Sequence, residues 1–270
     1  MSSNPMQTQA GTASRWGVNP MIPYLGGIAT WFAANGLQFV MVPTLVIITL
    51  GGTAGDLAAA QVALAVPQVF LMMFVGSLAD KSDSRTILLW VNMLAAIPPI
   101  ALGWLTYSGA LAYWHIIVFG LLMSAAFAFM VPTRDALLSR VASGNIQSAV
   151  MMALIAQFAA QLLGYILAGA AAPLAGPWAL LAMQSIALII GFLLTLALPD
   201  FPPVEGHEEE NGGWRAGFSI VWNSPVMRPV ILSSVGTGVF FIGIFMVTLP
   251  LIVTQIFGGG QLEISMLNLS

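Results

Sequence analysis

The stretch GSLADKSDSRTILL, Gly76 to Leu89, decides how the rest of the chain is read. Asp80, Lys81, Asp83 and Arg85 fall within six residues, and long apolar runs flank them on both sides. Only 6% of the 270 residues are charged. Charge gathered at one point marks a place where the chain leaves an apolar medium and then returns to it.

Working outward, the composition supports that reading. The chain is 59% hydrophobic, with a mean hydropathy of +0.93. Soluble domains are about 45–50% apolar and about 25% charged, so this chain cannot cover a water-facing surface. Apolar runs of about 20 residues are read as membrane-spanning helices. Spans are expected at 21–50, 57–79, 86–107, 112–133, 147–172, 178–198 and 228–257. The net charge of −3 says little, because the charges lie between these spans. With no cysteine, disulfides, thiolate catalysis and thiolate-held metals are excluded. The first residues, MSSNPMQTQAGTASR, lack the apolar centre of a secretory signal peptide.

The basic residues orient the spans. They are Arg15, Lys81, Arg85, Arg134, Arg140, Arg215 and Arg228. With alternating spans and an inner N-terminus, all seven lie on the cytoplasmic side, as the positive-inside rule requires. The expected organisation is a cytoplasmic tail over 1–20, a six-helix bundle over 21–198, a cytoplasmic loop over 199–227, and the start of a second bundle over 228–270. Within the long loop, GWRAGFSIVW is expected as a short interfacial helix. The new apolar run from about Leu262 reads as the beginning of an eighth helix, as in a longer protein cut short.

Asp80 closes the second span, where a carboxylate faces the negative end of its own helix dipole. It needs an answering charge from Arg85, from Lys81, or from another helix N-terminus. Gly76, one turn earlier, leaves room for a neighbouring backbone. Ser82 or Asp83 caps the third span, and Arg85 anchors it at the headgroups. The knot is either a latch between helix ends or an ordinary charged turn.

Inside the spans the polar residues are amides. They are Asn35 and Gln38 in the first, Gln61 and Gln68 in the second, Asn92 in the third, Gln157 and Gln161 in the fifth and Gln184 in the sixth. Asn35 and Gln38 share one helical face, as do Gln157 and Gln161. Each lines a cavity or bonds a neighbouring helix. No Asp, Glu, Lys or Arg lies deep within a span, which argues against a proton relay in this half. His115 reads as an interfacial residue beside Tyr113 and Trp114, and Asp56 as a helix cap. The fifteen methionines suit surfaces that fit varied apolar partners. HEEE at 207–210 reads as a solvated acidic loop, and no metal site is expected.

The knot GSLADKSDSR resembles the loop between helices two and three of the major facilitator superfamily, with Gly76, Leu78, Asp80, Lys81 and Arg85 in matching places. That family often has glycine where this chain has Asp83. AFAFMVPTRDALLSRVASGNIQSAVMM, Ala126 to Met152, is similar to the helix four–five region of its drug-efflux branch, which includes macrolide exporters. Pro132 and Arg134 carry that likeness. LLGYILAGAAAP is similar to the glycine-rich fifth helix of that branch, where Gly164 and Gly169 serve packing, although Tyr165 replaces a common proline.

The resemblance implies an all-α integral membrane fold, a six-helix bundle plus a seventh helix, with inverted three-helix repeats and a central site. Asp80 is then the inner latch. Asn35, Gln38, Gln157 and Gln161 face the substrate cavity. The implied activity is alternating-access export of small amphipathic compounds against protons, by a monomer in a bacterial inner membrane, with neither cofactor nor nucleic-acid partner. Transport of another solute, or service as the membrane domain of an ATP-driven transporter, remains open. No Gly-x-x-x-x-Gly-Lys-Ser/Thr sequence supports the latter. A receptor conflicts with the arginine distribution, and neither HExxH nor GxSxG suggests an enzyme.

Overall fold

A computed structural model describes residues 19–81, 83–142, 145–199, 222–225, 227–237 and 243–269. The N-terminal tail, the proposed interfacial helix and the acidic loop lie outside these residues. So do the side chains of Gly76, Leu78, Asp80 and Lys81, although their backbone is helical.

The described chain is helical: α1 (Met21–Pro43), α2 (Ala54–Lys81), α3 (Ser84–Tyr107), α4 (Tyr113–Val141), α5 (Ile146–Ala175), α6 (Pro177–Leu196), α7 (Met227–Gly236), α8 (Gly243–Leu251) and α9 (Gln261–Leu269). Among the described residues, six helices are long and apolar enough to cross a membrane. This is a multi-pass membrane protein. The stretch expected as a seventh span falls on α7, α8 and the π-turn Ile252–Ile256, with 238–242 outside the described residues.

Local chemistry sets the helix ends. Asp83 accepts from the backbone N–H of Arg85 and Thr86 at 3.2 and 3.1 Å, capping α3. Asn145 does the same for α5 through Gln147 and Ser148. His115 Nδ1 accepts the Ala112 N–H at 2.9 Å, so this ring helps to start α4. The sequence ended the fourth span near 133, but α4 continues to Val141. Ala136, Leu137 and Leu138 are good helix formers that sustain the helix as far as Val141. Arg134 and Arg140 are therefore helical residues rather than loop residues.

The most buried helix is α1, which packs on α5 and α6. Among α1 to α6 the remaining major contacts join α2 to α4, α3 to α4 and α3 to α6. Exchanging α1 with α4, α2 with α5 and α3 with α6 maps this set of pairs onto itself. That is the pattern of two three-helix units of opposite direction. At the α1–α5 crossing a Cβ on Gly164 would stand 3.0 Å from Gly36 Cα. Only the absence of both side chains permits this approach.

A second relation links the two ends of the described chain. Pro43 ends α1 and is followed by a π-turn, Thr44–Thr49. Pro250 is the penultimate residue of α8, and Leu251 leads into the π-turn Ile252–Ile256. In each, a glycine of left-handed φ comes next, Gly51 at 63° and Gly258 at 64°. The following glycine N–H then bonds the valine carbonyl six residues back, Gly52 to Val46 at 2.9 Å and Gly259 to Val253 at 2.8 Å. An acid finally caps the next helix, Asp56 accepting the Thr53 N–H and Glu263 the Gly260 N–H, both at 2.7 Å. The segments are structural repeats, and α9 corresponds to the start of α2.

Candidate substrate pathway

Trp31, Asn35, Gln38, Phe39 and Val42 recur at helical spacing and form one face of α1. Gln61 and Gln68, two turns apart on α2, face them, with Ser124 and Phe127 of α4 alongside. These side chains enclose a cavity of about 310 Å³. Its aromatic wall includes the edge-to-face contact of Phe127 with Phe32, centroids 6.4 Å apart. Pro67 supplies no N–H to the α2 ladder, and the next N–H, of Gln68, donates to Ser124 Oγ at 2.9 Å.

The amides differ in their commitments. Gln184 on α6 is wholly buried, and its Nε2 donates to Gln38 Oε1 at 2.8 Å. The Gln184 Oε1 has no partner among the described residues. Asn35, Gln61 and Gln68 make no side-chain hydrogen bond among the described residues, so their amides stand open to the cavity.

Phe39 and Gln61 also line an adjoining pocket of about 180 Å³, the outer one in the orientation expected from the sequence. Its other walls are Pro43, Gln161 and Tyr165 on one side and Pro250, Leu267 and Asn268 on the other. Gln161 Nε2 donates to the Tyr165 hydroxyl at 2.8 Å, and Phe39 meets the Tyr165 ring edge-on at 6.3 Å. In the structural repeat Gln61 corresponds to Asn268, so matched polar side chains enter this pocket from its two sides.

Gln157 lies elsewhere. The long α4 brings Arg134 abreast of it, and Arg134 Nη1 donates to Gln157 Oε1 at 3.0 Å. Arg134 also pairs with Asp135 at 2.8 Å, lies 5.5 Å from the Phe32 ring centroid, and offers its backbone carbonyl to the Tyr24 hydroxyl. This group borders a separate inner pocket of about 420 Å³. Of the four residues expected in one cavity, Asn35 and Gln38 line the main space, Gln161 the outer pocket and Gln157 the inner one. Pro132 lies half-buried on α4.

Arg85, expected to anchor α3 at the headgroups, is covered by the end of α6. It is 6% exposed, and its Nε and Nη2 donate to the carbonyls of Thr195 and Leu196 at 3.3 and 3.0 Å. A guanidinium therefore closes the C-terminus of α6, where a cation suits both the free carbonyls and the dipole. Gly169 faces Ser265, whose Oγ would stand 2.6 Å from an added Cβ. That glycine admits α9 against α5.

From the sequence, Gln61 and Gln68 were candidates without an assigned place, and Trp31, Phe39, Phe127 and Ser124 were not singled out. The seven-residue spacing of Gln61 and Gln68 was the available signal. For Phe127 and Ser124 only the packing of α4 on α2 reveals the role.

A family model described as Transmembrane secretion effector, a major facilitator superfamily family, matches residues 28–268. The chain belongs to this family. Eighteen solved chains are similar in structure. One is the nucleoside transporter NupG (D323A mutant), at TM-score 0.66 and 16% identity, covering 89% of this chain. The likeness is one of fold, and this chain spans 57% of that protein's length. No curated protein matches the sequence.

Proposed function

We propose that the chain forms the first bundle, and the beginning of the second, of a secondary active transporter that works by alternating access. It exports small amphipathic compounds in exchange for protons across a bacterial inner membrane, with the N-terminus cytoplasmic, and acts as a monomer. The observation that carries this reading is the pair of adjoining pockets. The larger has walls from α1, α2, α4 and α6, and the smaller from α1, α2, α5, α8 and α9, which supports a space between two bundles. A site between bundles changes its exposure when they rock.

Asp80 is the inner latch of this proposal, placed in the last turn of α2, with its partner in the second bundle. The test is solute flux into proteoliposomes with and without an imposed pH gradient. Coupled export requires flux that responds to the gradient. Flux indifferent to it refutes proton exchange and favours transport of a solute without coupling, which a cavity lined by uncharged amides also suits. Asp80→Asn is expected to impair flux while insertion is retained. Normal flux in that variant refutes the latch.

A further inference from the structure

We infer that the ligand of this pathway is an uncharged aromatic molecule rich in hydrogen-bonding groups, an aryl amide or sulfonamide in type, rather than a cation or an anion. The inference rests on the transporter reading and concerns what the site selects.

Three observations lead to it. Asn35, Gln61 and Gln68 present open amides to one cavity, and each amide offers two donors and two acceptor lone pairs. A ligand bearing both donors and acceptors satisfies them together. An ion satisfies only half of each amide. Next, Trp31, Phe39 and Phe127 supply flat apolar walls that favour a ring. Finally, the outer pocket continues the same chemistry. Its polar lining is Gln61, Gln161, Tyr165 and Asn268, so the polar group that α9 contributes is also an amide.

Among the described residues no charged side chain lines either pocket. A charge leaving water for such a site loses its hydration without gaining a counter-ion, which is a large penalty at membrane depth. An uncharged ligand exchanges water hydrogen bonds for amide ones at little loss. Arg134 is committed to Asp135 and Gln157 in the inner pocket. It does not enter the lining of the two pockets.

Three probes on one fluorophore test this: dansylamide, uncharged; dansyl choline, cationic; and dansylglycine, anionic. Binding to the purified full-length protein is read from dansyl emission. Dansylamide is expected to bind at least about tenfold tighter than either charged probe, and Gln61→Leu to weaken it about fivefold, the worth of one hydrogen bond. Gln61→Glu is expected to move the preference toward dansyl choline as pH rises and the new carboxyl ionises, a pH dependence absent from the parent. Equal or tighter binding of either charged probe to the parent overturns the inference, as does failure of all three to bind at about 1 mM. Should Gln61→Glu fail to fold, Asn35→Leu with Gln61→Leu decides: both must weaken dansylamide and neither dansyl choline. Selective binding without any transport sinks the transporter reading and leaves the ligand class standing.

Discussion

Replacing Gly164 with alanine tests the α1–α5 crossing directly. The added Cβ would stand 3.0 Å from Gly36 Cα and 3.1 Å from Leu37 N, and it would overlap the Ala33 carbonyl oxygen. Carbon contacts settle at about 3.5–4.0 Å, so the helices must part by about 0.5–1 Å. A gap of that size forfeits roughly a quarter to a half of the dispersion energy at each contact it opens, and overpacking of this kind costs about 1–3 kcal/mol. Alanine also gains helix propensity over glycine, which would blur a single measurement. Gly27→Ala removes that ambiguity. It lies on the same membrane helix α1, where an added Cβ meets only Thr195 Oγ1 at 3.9 Å, an ordinary contact. Because propensity enters both variants, their difference isolates the crossing. Gly164→Ala should be less stable than Gly27→Ala by about 1–3 kcal/mol, measured as denaturant unfolding in detergent. Equal stability of the two would refute the argument that α1 and α5 touch backbone to backbone.

Other expectations follow from single contacts. Arg85→Met keeps the apolar stem but strips the donors from the α6 carbonyls, and should cost about 1.5–3 kcal/mol for each charged bond lost; Arg85→Lys should recover only part, since one ammonium cannot reproduce the fork. Unfolding of the two variants side by side checks this, and equivalence of Met and Arg would contradict it. Gln38→Leu leaves the buried Gln184 amide without its acceptor and should cost about 1–3 kcal/mol, whereas adding Gln184→Leu should restore most of the loss, a sign reversal that a double-mutant cycle detects. Asp83→Ala should remove about 1 kcal/mol through the lost α3 cap, and Asp83→Ser should not; the difference is read in the same unfolding series.

The helices were legible because a membrane demands long apolar runs and the charges lay between them. Helix ends were legible where a capping residue announced them, as at Asp56 and Asp83. They were obscure where helix formers carried on past the bilayer-length run. Arg134 shows the consequence. Read as a loop cation it had no assigned partner, but the continuation of α4 past Thr133 keeps it in the helix, where it meets Gln157. Arg85 is the same lesson in packing. Its place in the sequence pointed to a headgroup anchor, and only the approach of α6 to the start of α3 showed which carbonyls it serves. The pairing of Gln38 with Gln184, residues 146 positions apart, carries no local signal at all.

The repeat joining Pro43–Leu57 to Pro250–Ile264 gives the outer pocket its logic. Each proline removes an N–H from its helix, and the ladder recovers through a π-turn, with Leu50 N–H reaching Leu45 and Phe257 reaching Ile252 at 3.0 and 3.2 Å. The left-handed glycine and the acid cap that follow are also shared by the two segments. Contacts between the segments obey the same relation: α2 packs on α8, and α9 packs on α1. Two equal elements facing each other across an axis must place corresponding residues on opposite walls of whatever space lies on that axis. Pro43 with Pro250, and Gln61 with Asn268, are those residues. On both walls the polar member of the matched pair is an uncharged amide, so the two segments present like chemistry to the space between them.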